Sequence, residues 1–206
     1  MRITRTANAG VLLELDGTKL LLDGVCREVS PYPATPSHIR QSLLQSPPDL
    51  VAVTHFHDDH CDPDFEKAYE SATGRQVITP DFAGKTLQIG NITLSVIPSR
   101  HIGKAQCNHV SYWIRGSIDL LFTGDAAPMQ WKKDMPAADV LLAPFAYAST
   151  EAAWRVSREI APKVVLLHFP ELHRDSLGLR AAVLQTVGEN NGIFIPEMEE
   201  FVEINF

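Results

Sequence analysis

Residues 55–60 hold the densest group of metal-binding side chains in the sequence, His-Phe-His-Asp-Asp-His. Imidazole nitrogen and carboxylate oxygen suit Zn²⁺, Mn²⁺ or Fe²⁺, and no thiolate is required. In a turning loop, His55 and His57 can face one metal while Asp59 and His60 face a second. The pattern therefore predicts a metal site, with a solvated polar loop as the alternative and Asp58 facing solvent.

Three more candidate ligands follow apolar runs elsewhere in the chain. His101 comes after TLSVIP, Asp125 after LLFTG, and His168 after VVLL. Gly124 allows the backbone to turn sharply and present the carboxylate of Asp125. Functional side chains of open α/β sheets collect at strand ends, so we expect these three to join the 55–60 loop. Taken singly, each could instead be a cap or a surface group.

The elements that must position these residues alternate between short strands and helices. Residues 50–54 (LVAVT) predict a buried strand that ends at the metal motif, and Asp62 with Pro63 predicts the start of a helix that ends near Gly74. We also expect a strand at 76–79 and a last helix that starts at Asp175. Many strands are joined by hairpin signals, which favours an α/β fold other than a doubly wound parallel sheet.

Composition limits the classes of function. The 206 residues carry a net charge of −7, which disfavours nucleic acid as a partner because such binding depends on Lys and Arg. No apolar run approaches the length of a membrane span, and the first residues lack the apolar core of a signal peptide. Three cysteines without CxxC spacing predict free thiols. We therefore expect a cytoplasmic protein that is not inserted into a membrane and acts on a small molecule.

The order HxHxDH, strand-end His, Gly-Asp, strand-end His resembles the metallo-β-lactamase superfamily, over nearly the whole chain from VLLELDGTKLLLDG onward. Within it, the short chain and the Arg-His-Ile-Gly segment resemble the branch of L-ascorbate-6-phosphate lactonase and related metal-dependent hydrolases. The resemblance implies an α/β fold of the metallo-β-lactamase type, a four-layer αβ/βα sandwich. Residues 1–206 would form one domain.

The resemblance also implies a role for each candidate. Seven side chains would coordinate two ions: His55, His57 and His101 the first, Asp59, His60 and His168 the second, and Asp125 both. Asp59 and Asp125 would also act in catalysis. Asp23, in the LLLDG turn, would support the ligands from outside, although a simple turn residue is an equal alternative.

His109 competes with His101 as the third ligand of the first metal, since His-Val-Ser-Tyr loosely matches another motif of the superfamily. His101 is preferred because it directly ends a strand and leaves room for a strand over 109–115. Arg100 and Lys104 flank His101 and are candidates for binding a phosphate or carboxylate of the substrate. Ordinary surface charge is the alternative for both.

The predicted activity is hydrolysis by a dinuclear metal-dependent enzyme. The cofactors would be two divalent ions, zinc in preference to manganese or iron, and a water or hydroxide that bridges them would attack the substrate. The leaving group would be protonated by a water, by Asp59 or by an unidentified side chain. The bond would be an ester, lactone or phosphoester of a small molecule. The alternatives are a phosphodiesterase for nucleotides or phospholipids, a di-iron redox protein, and a binding module built on a remnant site.

Overall fold

The computed structural model describes residues 1–103, 107–131, 137–188 and 192–205. Strands and helices alternate along these residues, in this order: β1 Arg2–Arg5, β2 Val11–Leu15, β3 Thr18–Leu22, α1 Ser37–Gln45, β4 Leu50–Ala52, α2 Pro63–Thr73, β5 Thr86–Ile89, β6 Ile92–Ser99, β7 His109–Arg115, β8 Leu120–Phe122, β9 Val140–Pro144, α3 Glu151–Ile160, β10 Lys163–Leu167, α4 Leu179–Val187, β11 Ile193–Phe194 and β12 Phe201–Glu203. Within the described ranges, the helices are too short or too polar to cross a membrane.

The strands form two mixed sheets. The first has the order β12-β1-β2-β3-β4, and the second has the order β11-β10-β9-β8-β7-β6-β5. In the first sheet only β3 and β4 are parallel neighbours. The second sheet is antiparallel from β5 to β8 and parallel from β8 to β11. This mixture of hairpins and parallel pairs agrees with the prediction from the sequence.

A central core fills the space between the two sheets. Leu13 and Leu20 from the first sheet are fully buried together with Leu94 and Tyr112 from the second. Because side chains alternate between the two faces of a strand, each sheet also has an outer face that must be covered.

The helices cover those outer faces. On the first sheet, Val51 packs with Ile39 of α1 and Phe65 of α2. On the second sheet, Leu141 packs in a separate cluster with Val183 of α4, and α3 contributes to the same layer. The layers therefore run helix, sheet, sheet, helix, and the predicted αβ/βα sandwich is confirmed.

The helix after the metal motif begins and ends as predicted. The Asp62 side chain accepts a hydrogen bond from the Asp64 backbone N–H at 3.0 Å, and Pro63 occupies the first helical position. Gly74 ends the helix in the left-handed conformation, with φ of 68°. The cap fixes where the 55–60 loop ends, immediately after His60.

Two predicted elements are corrected. Residues 76–79 are not a strand, because only Ile78 makes a bridge, to Ala52, before Pro80 begins a 3-10 turn. The last helix begins at Leu179 and not at Asp175, since Gly178 adopts a left-handed φ of 64° just before it. The Asp175 carboxylate still caps this helix, accepting hydrogen bonds from the Leu179 and Arg180 backbone N–H groups at 2.9 and 3.0 Å.

Candidate metal centre

The predicted ligands converge at one end of the two sheets. Asp23 follows β3, the 55–60 loop follows β4, His101 follows β6, Asp125 follows β8 and His168 follows β10. In the second sheet β6 runs in the same direction as β8, and β8 and β10 are both parallel to β9, so these three strands end on the same side. The topology therefore brings together residues that lie more than a hundred positions apart.

His55, His57 and His101 form the first group. One ring nitrogen from each of them lies within 4.8 Å of the other two. Nε2 of His55 and Nδ1 of His57 are 3.0 Å apart, close to the separation of about 3.4 Å expected for two nitrogens on one tetrahedral zinc ion. Such a group is able to hold one ion.

Asp59, His60 and His168 form the second group, again with ligand atoms within 4.8 Å. Nε2 of His168 lies 3.2 Å from Oδ2 of Asp59. The side chain of His60 is completely buried, that of His168 is nearly so, and that of Asp59 is partly buried. The two groups together contain six of the seven predicted ligands.

Asp125 lies between the two groups. Its Oδ2 is 3.8 Å from Nε2 of His101 in the first group, and 3.5 Å from Nε2 of both His60 and His168 in the second. One carboxylate is therefore placed to contact ions in both groups. This is the position that a bridging ligand requires.

A buried network orients the imidazoles. The Asp23 carboxylate accepts hydrogen bonds from the Thr54 backbone N–H at 2.7 Å, the Thr54 hydroxyl at 2.6 Å and Nδ1 of His60 at 2.9 Å. Because the single proton of the Thr54 hydroxyl goes to Asp23, its oxygen must accept from Nδ1 of His55, 3.0 Å away. The network thus leaves Nε2 of both His55 and His60 free to bind a metal.

His101 and His168 are held by the backbone. Nδ1 of His101 donates to the carbonyl of Ile102 at 2.7 Å, which frees its Nε2. The backbone N–H of His168 donates to the Asn8 carbonyl at 3.2 Å, and the Asn8 amide lies 3.4 Å from the ring. His168 and Asp23 both adopt a left-handed φ, of 64° and 45°, a conformation that costs about 1–3 kcal/mol outside glycine. The surrounding contacts must offset this strain.

The residues fit a pair of divalent cations. Nε2 of His60, Nε2 of His101 and Oδ1 of Asp125 are buried and make no hydrogen bond of good geometry within the described part of the chain. Leaving buried polar atoms unpaired is costly, and coordination of a metal would remove that cost. The donor set of imidazoles and carboxylates is the one that zinc, manganese and iron accept.

The protonation states of His55 and Asp125 also fit. Burial, reinforced by the neighbouring rings of His60 and His109, lowers the pKa of His55 far below its usual range, so the ring is neutral, as a metal ligand must be. Burial alone would raise the pKa of Asp125, but the imidazoles of His168 and His60 lower it well below its usual range. The carboxylate is therefore ionised at neutral pH.

His109 lies next to the first group without joining it. Its ring centroid is 4.9 Å from that of His55 and 5.6 Å from that of His101. Nδ1 of His109 lies 2.8 Å from the Ser99 hydroxyl, and burial lowers the pKa of the ring to about 3. Its nitrogens belong to none of the three-residue groups among the described residues. The geometry therefore favours His101 as the ligand.

The predicted substrate contacts have less support. The side chain of Arg100 is exposed, and its backbone N–H donates to the Gln130 side chain at 2.7 Å. Lys104 lies outside the described residues. Asp58 is exposed, as expected, and its carboxylate is 3.9 Å from the Arg27 guanidinium.

Sequence reasoning missed three residues at the site: Thr54, Asn8 and Tyr32. Thr54 directly precedes the motif, and a hydroxyl next to a ligand is a usable signal for a supporting hydrogen bond. Asn8 and Tyr32 carry no such local signal, because each meets His168 across more than a hundred residues.

Residues 2–167 match the family model named Beta-lactamase superfamily domain. The chain belongs to the metallo-β-lactamase superfamily. No curated protein of similar sequence was found. The predicted placement in the lactonase branch remains a prediction.

Solved structures share the metallo-β-lactamase fold over nearly the whole chain. An isothiocyanate hydrolase from Delia radicum gut bacteria is 17% identical over 99% of both chains, with a TM-score of 0.71. A possible metal-dependent hydrolase from Veillonella parvula is 15% identical over 99% of both chains, also with a TM-score of 0.71. Igni18, a metallo hydrolase from Ignicoccus hospitalis, is 18% identical over 100% of this chain and 98% of its own, with a TM-score of 0.65. At these identities the likeness shows the fold alone.

Asp23→Asn is expected to weaken metal binding by about 10- to 100-fold, because the amide cannot accept all three hydrogen bonds that orient Thr54 and His60. The measurement is a zinc competition titration against a chromogenic chelator. Asp49→Asn is the matched control, since Asp49 is an exposed carboxylate at the opposite end of β4. Equal zinc affinity in the two variants would contradict a supporting role for Asp23.

Proposed function

We propose that residues 1–206 form one domain that acts as a metal-dependent hydrolase on an ester or lactone bond of a small molecule. The observation that carries the proposal is the placement of Asp125 Oδ2 between two three-residue groups of donor atoms. The ligands would divide as follows: His55, His57 and His101 on one ion, Asp59, His60 and His168 on the other, and Asp125 on both.

Two bound divalent ions, zinc in preference to manganese or iron, would supply an activated water and polarise the scissile bond. The chain's own residues hold that chemistry in place. Burial would raise the pKa of Asp59, but the hydrogen bond with His168 lowers it, so the carboxylate is ionised at neutral pH. The carboxylate can therefore accept a hydrogen bond from the attacking water and orient it. The Asp23–Thr54 network directs Nε2 of His55 and of His60 inward.

Aromatic side chains beside the site favour a neutral, partly apolar substrate. The rings of Tyr32 and Phe145 lie 4.7 and 6.4 Å from the ring of His168, and Phe56, within the metal motif, is 56% exposed. Binding sites for small molecules are built mainly from such surfaces. An isothiocyanate is a second candidate substrate, since it is neutral and has an electrophilic carbon. A solved protein with the same fold is an isothiocyanate hydrolase.

The proposal is tested by metal analysis and a substrate panel. Protein loaded separately with Zn²⁺, Mn²⁺ or Fe²⁺ is assayed with neutral esters, lactones, isothiocyanates, phosphomonoesters and phosphodiesters. We expect two ions per chain, and turnover of neutral substrates that is lost in His57→Ala but kept in His38→Ala, where an exposed histidine is removed. One ion or none, or turnover limited to phosphodiesters, would overturn the proposal, and oxygen consumption by the iron form would favour redox chemistry.

A further inference from the structure

The segment 24–36, between β3 and α1, is fastened to the loop that carries the metal motif. The Arg27 backbone N–H donates to the Asp58 carbonyl at 2.7 Å. Within the segment, Val29 and Tyr32 exchange backbone hydrogen bonds of 3.0 and 2.6 Å. Tyr32 is therefore held in a fixed place relative to the candidate ligands.

The side chain of Tyr32 faces the second group of ligands. Its ring meets the ring of His168 edge to face, with centroids 4.7 Å apart and planes at 89°. Its hydroxyl has no hydrogen-bond partner among residues 1–103, 107–131, 137–188 and 192–205. A phenol keeps its proton at neutral pH, so Tyr32 places a neutral hydrogen-bond donor next to His168.

Such a donor would accelerate the hydrolysis of an ester or lactone. Attack by water moves negative charge onto the carbonyl oxygen of the substrate, and a fixed donor aimed at that oxygen stabilises the transition state more than the ground state. The carboxylates of Asp59 and Asp125 can only accept hydrogen bonds when ionised. The hydroxyl of Tyr32 can donate at the same centre.

We propose that Tyr32 is a catalytic residue whose hydroxyl donates a hydrogen bond to the carbonyl oxygen of the substrate as that oxygen gains negative charge. This role rests on the proposed ester or lactone hydrolysis and adds a specific contact to it. The hydroxyl keeps its proton throughout, so the contact stabilises charge and transfers no atom.

The decisive variant is Tyr32→Phe, which removes only the hydroxyl. In zinc-loaded protein we expect kcat for a neutral ester to fall by about 100-fold with KM little changed, as for the loss of one donor to an oxyanion. The zinc content should equal that of the wild type. Tyr69→Phe is the matched control, because it removes a buried hydroxyl that donates to the Pro48 carbonyl.

A thionoester, in which sulfur replaces the carbonyl oxygen, separates this contact from a structural role. Sulfur is a weak acceptor, so the wild-type to Tyr32→Phe ratio of kcat should be much smaller for the thionoester than for the oxoester. Unchanged kcat on the oxoester, an equal loss on both substrates, or loss of zinc would each overturn the proposal.

A binding measurement keeps the test independent of turnover. Methylphosphonate presents tetrahedral, charged oxygens, and calorimetry should show it binding to zinc-loaded Tyr32→Phe about 10-fold more weakly than to the wild type. Equal affinities would overturn the contact. A wild type that binds methylphosphonate more tightly than the variant, yet hydrolyses no member of the panel, would support the contact and reject the proposed hydrolase function.

Discussion

Replacing Asp125 by Asn is expected to abolish turnover while the chain stays folded. The amide has nearly the shape of the carboxylate, but it carries no negative charge to share between two cations. We expect kcat/KM of the zinc-loaded protein to fall by about 10³-fold or more, equivalent to about 4 kcal/mol of transition-state stabilisation. Steady-state kinetics measures the loss, and metal analysis should show fewer than two ions per chain.

The matched control is Asp58→Asn, which makes the same chemical change on an exposed carboxylate of the metal-motif loop. It should keep two ions and the turnover of the wild type, and circular dichroism should show both variants folded. An Asp125→Asn protein with full activity would contradict the bridging role. A similar loss of turnover in both variants would show that the site tolerates no change of charge at either position.

The candidate site was predictable because most of its information is local. Four of the seven proposed ligands lie within residues 55–60, and the other three come within three residues of the end of an apolar strand. Strand ends on one edge of a sheet must meet, so the order of strands and polar residues was enough to bring His101, Asp125 and His168 to the motif. The four-layer fold followed from the same strands together with the resemblance.

The contacts that hold the ligands were harder to predict. Asn8 and His168 are 160 residues apart and follow strands of different sheets, so their contact depends on the final packing of both sheets. Asp23 and His60 are 37 residues apart and meet because β3 and β4 are neighbours in the first sheet. The left-handed backbone of Asp23 and His168 could not be predicted from the residue types either, because such φ values are usually adopted by glycine.

Errors in the elements have similar physical causes. Residues 76–79 have the composition of a strand, but their neighbour β4 ends at Ala52 and only one bridge can form. The last helix was predicted to start at Asp175, yet Gly178 delays it until Leu179, and Asp175 instead accepts hydrogen bonds from its first residues. Local propensity therefore identified the right residues. It misplaced the boundaries of the strand and the helix because tertiary contacts decide where these elements begin and end.

Gly124→Ala is expected to damage both stability and metal binding. Gly124 adopts φ of 51°, and a Cβ there would lie 2.5 Å from Oγ1 of Thr54 and 2.7 Å from its Cβ and Cγ2. Thr54 would have to move, which would break the hydrogen bonds that join Asp23 to His55. A left-handed alanine costs about 1–2 kcal/mol and the overpacking about 1–3 kcal/mol more. We expect the free energy of unfolding to fall by about 2–5 kcal/mol in urea titrations.

Gly84→Ala separates the two costs, because Gly84 has φ of 81° but no atom within 4 Å of an added Cβ. That variant should lose only the backbone part, about 1–2 kcal/mol, and keep the zinc affinity of the wild type. Gly124→Ala should lose more unfolding free energy than Gly84→Ala and bind zinc more weakly. These two differences measure how far Thr54 determines the positions of the ligands. If both variants lost the same stability and bound zinc equally well, the close packing of Gly124 on Thr54 would have no part in building the centre.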